Sequence, residues 1–128
     1  MKKIIFLLFV SISLSAFSAV GDTDSDEIVN ALKQGNAEQF SHFFDNFIDL
    51  KLPDKDEIKN LGKTQAGVTM KSFFDANNVK GFELTSQREM SGTMYMAGKL
   101  FGSAKNYNIT LMMKTKGDRL TIITIRLN

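Results

Sequence analysis

The sequence predicts an α+β domain in which three helices come first and one long antiparallel sheet wraps them. Three observations predict it. The first part of the chain carries apolar residues at helical spacing, and the part after Val79 reads as strands only. Between those strands stand Ser91-Gly92 and Gly117-Asp118, turn pairs at hairpin distance.

Each element has its own signal. Asp24, with Glu27 three residues on, reads as a capping box opening a helix whose Ile28, Val29 and Leu32 share one face. Gly35 stands where a left-handed residue closes that helix. Asn36, with Gln39, caps a second helix, and Phe40, Phe43, Phe44 and Phe47 follow at the i, i+3, i+4, i+7 spacing of a buried stripe. After Asn46 the period changes to two. Ile48, Leu50 and Leu52 alternate with Asp49 and Lys51, a half-buried strand that Pro53 ends. Residues 54–57 read as an acidic loop running on to Gly62 and Lys63, and Thr64 caps a third helix reaching residue 76, with Ala66, Met70, Phe73 and Phe74 inward. Strands are expected over residues 80–90, 93–101, 107–115 and 119–127, giving the order α-α-β-α-β-β-β-β.

The first residues carry a different message. Lys2 and Lys3 precede an apolar run over residues 4–14 broken only by serines, and Ala16 and Ser18 stand at the spacing that signal peptidase reads. This predicts an export signal over residues 1–18, cut before Ala19, too short and wrongly flanked for a spanning helix. Residues 19–128 are then one domain, exported to the periplasm or secreted, with no membrane insertion after cleavage. A chain of that length buries roughly two thirds of its unfolded surface, enough for a core without staples. The absence of cysteine leaves that core to hold the fold alone and leaves nothing to carry a lipid.

The formal charge of +2 disappears with Lys2 and Lys3. What remains is bipolar: residues 22–57 hold ten acids and three lysines, net −7, and residues 58–128 hold eleven bases and four acids, net +7. Such a pattern either favours association or neutralises itself within one compact domain. No basic stripe with interleaved aromatics suggests nucleic acid.

Sites of chemistry are scarce. His42, the single histidine, lies about 200° around its helix from Phe40, off the apolar stripe, and with no cysteine beside it is expected to be solvated rather than a ligand or a base. Asp22, Asp24 and Asp26 begin a calcium-loop pattern that fails at Glu27 and Lys33. Gly62-Lys63-Thr64 imitates the end of a phosphate loop whose first glycine is Glu57. Asn108-Ile109-Thr110 is a glycosylation sequon only by its letters. Neither a metal nor a cofactor is expected.

The stretches FDNFIDLKLPDKDEIKNLGKTQA, KGFELTSQREM and GTMYMAGKL resemble a bacterial family of short exported proteins catalogued as domain of unknown function 4783. The element order, with Gly-Asn after the first helix and a proline-ended strand, resembles the nuclear-transport-factor-2-like (cystatin-like) cone. That resemblance implies three helices packed in the concave face of a curved, mostly antiparallel sheet. It also implies where an isomerase of this fold would keep its tyrosine and its carboxylate base. Those positions hold Ile28 and Leu52, and neither can move a proton. The domain is therefore expected to bind rather than catalyse, the alternative being a small isomerase- or dehydratase-type enzyme acting on an apolar substrate.

Two further features stand between function and packing. Met90, Met94, Met96, Met112 and Met113 fall on the strands, where they fill a core or line an adaptable contact surface, and alternation sends Met112 and Met113 to opposite faces. Arg88 and Tyr95 pair across the Ser91-Gly92 turn, on the face of Phe82 and Leu84. They form either a rim charge pairing with Glu89 or the polar pole of a pocket. If the cone encloses an apolar cavity, Phe44, Leu52 and Phe73 line it, and Arg88 and Tyr95 orient a small apolar or amphiphilic ligand. A homodimer through the sheet face is the other expected partnership.

Overall fold

The computed structural model describes residues 20–128, so the expected export signal, residues 1–18, lies outside the described residues. Helices α1 (Val20–Gln34) and α2 (Ala37–Ser41) lead into strand β1 (Phe44–Lys51). Strand β2 (Ile58–Gly62) and helix α3 (Lys63–Asn77) follow, and then β3 (Gly81–Met90), β4 (Thr93–Phe101), β5 (Asn106–Lys116) and β6 (Arg119–Leu127). The six strands form one sheet in the order β2-β1-β6-β5-β4-β3. Among the described residues only the β1–β6 pairing is parallel.

Helix α1 buries Ile28, Ala31 and Leu32 completely. It starts before the expected cap. Asp24 lies inside the helix, and its Oδ2 accepts the Leu120 N–H at 2.8 Å, tying the helix to β6. At the other end Gly35 has φ +65, the Asn36 N–H donates to Ala31 O at 2.9 Å, and the left-handed closure is as expected. Asn36 caps α2: its Oδ1 accepts the Gln39 N–H at 3.0 Å, and its Nδ2 donates to Gln39 Oε1 at 3.4 Å.

The second helix departs most from expectation. It ends at Ser41, with His42 as C-cap, and Phe44 already belongs to β1. The four-phenylalanine stripe therefore does not exist. Phe40 is buried on the helix, Phe43 and Phe44 are buried beyond it, and Phe47 is 62% exposed. The Ile122 N–H donates to Phe43 O at 2.7 Å, so β6 captures this aromatic, strand-favouring segment before a third helical turn can form. Strand β2 is a second departure, since residues 58–62 were expected as loop. Asn60 is an extra residue in it with φ +55, and its N–H donates to Asp49 Oδ1 at 3.0 Å. Helix α3 begins at Gly62 with no side-chain cap, rather than at Thr64, and ends at Asn78 in the left-handed region.

Extra residues curve the sheet. Thr85 is one in β3 and Ile123 one in β6, and the β1–β6 pairing breaks between Phe44 and Asp49. The curved sheet packs on the helices through a buried aromatic and aliphatic core. Phe40 meets Phe44 edge-on at 5.2 Å and stacks on Phe74 at 6.1 Å. Met96, Leu100, Leu111 and Met113 are buried beneath them, so Met96 and Met113 fill the core. The bipolar charge is neutralised in part within the domain. Three ion pairs join the acidic N-terminal part to β5 and β6: Asp24 with Arg119 at 3.8 Å, Asp45 with Lys116 at 2.7 Å, and Glu57 with Arg126 at 3.5 Å.

Candidate functional site

The five residues expected to line one cavity fall in three places. Phe44 is core, 3% exposed, against Phe40. Leu52 and Phe73 are half-buried and line a groove of about 200 Å³ with Pro53, Asn77 and Tyr107. There the Phe73 and Tyr107 rings meet at 5.1 Å, and the Tyr107 hydroxyl donates to Asn77 Oδ1 at 2.8 Å. Arg88 and Tyr95 line a separate groove of about 390 Å³ with Ser86, Met90, Ala97 and Thr110.

Arg88 does pair with Tyr95, but on the other face of the sheet. Phe82 pairs with Leu100 and Leu84 with Gly98, on the side that packs the core. Thr85 then inserts, and Ser86 pairs with Ala97, so every later residue of β3 changes side. The Thr85 hydroxyl donates to Ala97 O at 3.0 Å, which satisfies the interrupted ladder. Arg88 and Tyr95 consequently point away from the helices. Among the described residues Arg88 has no ion pair, and Glu89 faces the opposite side of the strand, paired with Met94.

This open face has a definite pattern. One row crosses five strands: Asp49, Thr124, Met112, Tyr95 and Arg88. The neighbouring row runs Lys51, Arg126, Thr110, Ala97 and Ser86. The middle of the face, around Tyr95, Ala97, Thr110, Met112 and Thr124, is uncharged, and charges stand at its margin. Among the described residues no helix covers it, because the helices pack on Phe82, Leu100 and the other residues of the opposite face. Alternation places Met112 and Met113 on opposite faces, and the structure buries Met113 and turns Met112 outward. The side on which Arg88 emerges is not legible in the sequence, because Thr85 looks like any other strand residue.

Other candidates are quickly placed. His42 is exposed and lines a groove of about 330 Å³ with Glu38, Lys63, Thr64 and Lys71. Among the described residues no three His, Asp or Glu side chains approach closely enough to share a metal ion. Ile28, at the position implied for a catalytic tyrosine, is sealed in the core, and Leu52 borders the small groove.

Three helices inside a curved, mainly antiparallel six-stranded sheet define a nuclear-transport-factor-2-like domain. The family model DUF4783, a domain of unknown function, matches residues 25–128, and the chain belongs to that family. A DUF4783 protein from Bacteroides uniformis is similar, with a TM-score of 0.74 at 21% identity over 80% of this chain and 94% of that one. Another from Bacteroides ovatus gives 0.71 at 22% identity over 79% and 90%. An NTF2-like protein of unknown function from Cytophaga hutchinsonii gives 0.61 at 10% identity over 89% and 93%. No curated protein matches the sequence.

Proposed function

We propose that this protein is an exported, non-catalytic interaction domain whose working surface is the open face of its sheet, and that this face meets another protein surface. The observation that carries the reading is the uncharged centre around Tyr95, Ala97 and Met112, ringed by Arg88, Asp49, Lys51 and Arg126 and left uncovered by the helices. An apolar centre within a polar rim is the anatomy of a protein contact. A small molecule held between Leu52 and Phe73 is less well supported, because that groove, at about 200 Å³, falls below the roughly 300–1,000 Å³ of ordinary ligand sites, and the larger Arg88–Tyr95 groove is part of the open face itself. Isomerase chemistry has no proton-transfer group at Ile28 or Leu52.

Native mass spectrometry of protein purified from its own host tests this. Ala97→Arg places a charge at the centre of the face, whereas Val68→Arg places one on the exposed side of α3. Association lost in the first variant and kept in the second is the expected result. Association lost only in the second would move the working surface to the helices. A retained apolar small molecule, displaced by Leu52→Asp, would restore the ligand reading. Export predicts an intact mass beginning at Ala19, and retention of residues 1–18 would refute it.

A further inference from the structure

Helix α3 carries a glycine that its own packing does not require. Gly67 lies within the helix, and its φ is not positive. Beyond its own helix, a Cβ added there would meet only Ser41, at 3.4 Å from Cβ and 3.6 Å from Oγ, which is ordinary contact. Alanine would therefore fit, and inside a helix it is the more stable residue. What alanine would change is the space outside the helix. Gly67 forms part of the wall of the groove of about 330 Å³ between α2 and α3 that His42 lines.

This groove has two unlike ends. Lys63, Thr64, Gly67, Val68 and Lys71 line it along one side of α3, so Lys63 and Lys71 lie about 12 Å apart along the axis. Glu38 also borders a second groove together with Lys71 and Asp75, which places it at the Lys71 end. Ser41 faces Gly67 at the middle, and His42, next in the chain, falls toward Lys63. The Lys71 ammonium pairs with Asp75 at 3.0 Å, so Glu38 leaves that end with two carboxylates against one cation. Lys63 leaves the other end positive. Among the described residues neither Glu38 nor Lys63 has an ion-pair partner.

We infer that this groove binds a short linear zwitterion, its carboxylate at Lys63 and its ammonium at Glu38, and that a peptide of about three residues with free termini is the class it fits. An extended chain advances about 3.4 Å per residue, so three residues span roughly 10 Å. The volume falls within the roughly 300–1,000 Å³ of ordinary ligand sites. Gly67 lets a peptide backbone lie close to the helix, and Val68, 56% exposed, offers an apolar wall. The His42 imidazole presents an N–H to the carboxylate in either charge state. The Ser41 hydroxyl donates to Glu38 O at 2.8 Å, and its oxygen is left to accept a peptide N–H. A molecule with a single charge satisfies one end only. The groove lies on the helix side of the molecule, away from the open face of the sheet, so the two surfaces are tested separately.

Titration of the isotope-labelled protein with trialanine, read from amide NMR shifts, tests the site. Saturating shifts confined to residues 38–42 and 63–71 are expected at about millimolar concentration, because each exposed charge pair contributes little. Trialanine capped by N-acetylation or by C-terminal amidation should bind about threefold more weakly in each case. Glu38→Gln should bind free and acetylated trialanine alike, and Lys63→Gln should bind free and amidated trialanine alike. Gly67→Ala should melt a few degrees higher than wild type yet lose most of the binding. Shifts that do not saturate, or that fall on the open face of the sheet, overturn the site. Capped peptides that bind as tightly as the free one overturn the zwitterion. A Gly67→Ala variant that melts lower than wild type, or that binds trialanine unchanged, overturns the role given to the glycine.

Discussion

Gly98 and Phe82 occupy one space. A Cβ added at Gly98 would lie 2.4 Å from two carbons of the Phe82 ring and 2.5 Å from Glu83 O. Phe82 is the buried anchor of β3, since the rest of that strand to Met90 is exposed or, at Gly81, half-buried. Gly98→Ala should therefore destabilise the protein by about 1–3 kcal/mol, as overpacking does, and loosen the β3–β4 arm. Thermal melts and hydrogen exchange in residues 81–90 measure this, and an unchanged melt would mean that the arm yields freely.

Gly35 is constrained twice. Its φ is +65, and a Cβ there would lie 2.0 Å from Val79 O, a backbone atom that cannot rotate away. Gly35→Ala should cost more than about 2 kcal/mol, combining left-handed strain with displacement of the chain after α3. A chemical denaturation midpoint close to that of wild type would disprove the close approach.

Asp24 joins α1 to the sheet through the Leu120 N–H, with Arg119 only at 3.8 Å. Asp24→Ala should cost about 1–3 kcal/mol, because a partly buried donor loses its acceptor. Arg119→Ala should cost less than about 1 kcal/mol by loss of its ion pair. Equal losses would show that the charge, not the backbone bond, is what matters.

The Lys116 ammonium donates to Asp45 Oδ1 at 2.7 Å. This bond, reinforced by the Asn46 N–H and the nearby charges of Lys116 and Lys114, lowers the Asp45 pKa against the opposing effect of burial. Its stabilisation is complete above the unfolded carboxylate value of about 3.9 and disappears as pH falls through the lower folded value. Lys116→Met should therefore be less stable than wild type at neutral pH, by under about 1 kcal/mol for so exposed a pair, with the gap closing in strong acid. A gap of equal size in strong acid would assign the effect to packing.

His42 caps α2 through its backbone, and its side chain is exposed. His42→Ala should change stability by less than about 0.5 kcal/mol and leave any metal content unaltered. Zinc held by wild type and lost from the variant would refute this.

The local chemistry of the chain was enough to place most of its elements. Gly35, Asn36 and Gln39 act within four residues of one another, and so do the turns at Ser91-Gly92 and Gly117-Asp118; such signals need no partner from elsewhere. The alternation of Met112 with Met113 likewise showed that they take opposite faces, because a strand has a period of two wherever it lies, while burial of Met113 in the core decided which one emerges. Tertiary structure decided the rest. Phe43 and Phe44 fit helical spacing, yet β6 draws them into a sheet, since a backbone bond from Ile122 and burial outweigh one further helical turn. Strand β2 lacks an apolar pattern of its own and exists because β1 offers it a ladder. Arg88 emerges on the open face because Thr85 adds one residue to β3, a register shift set by pairing with β4 that leaves no mark in the sequence of either strand.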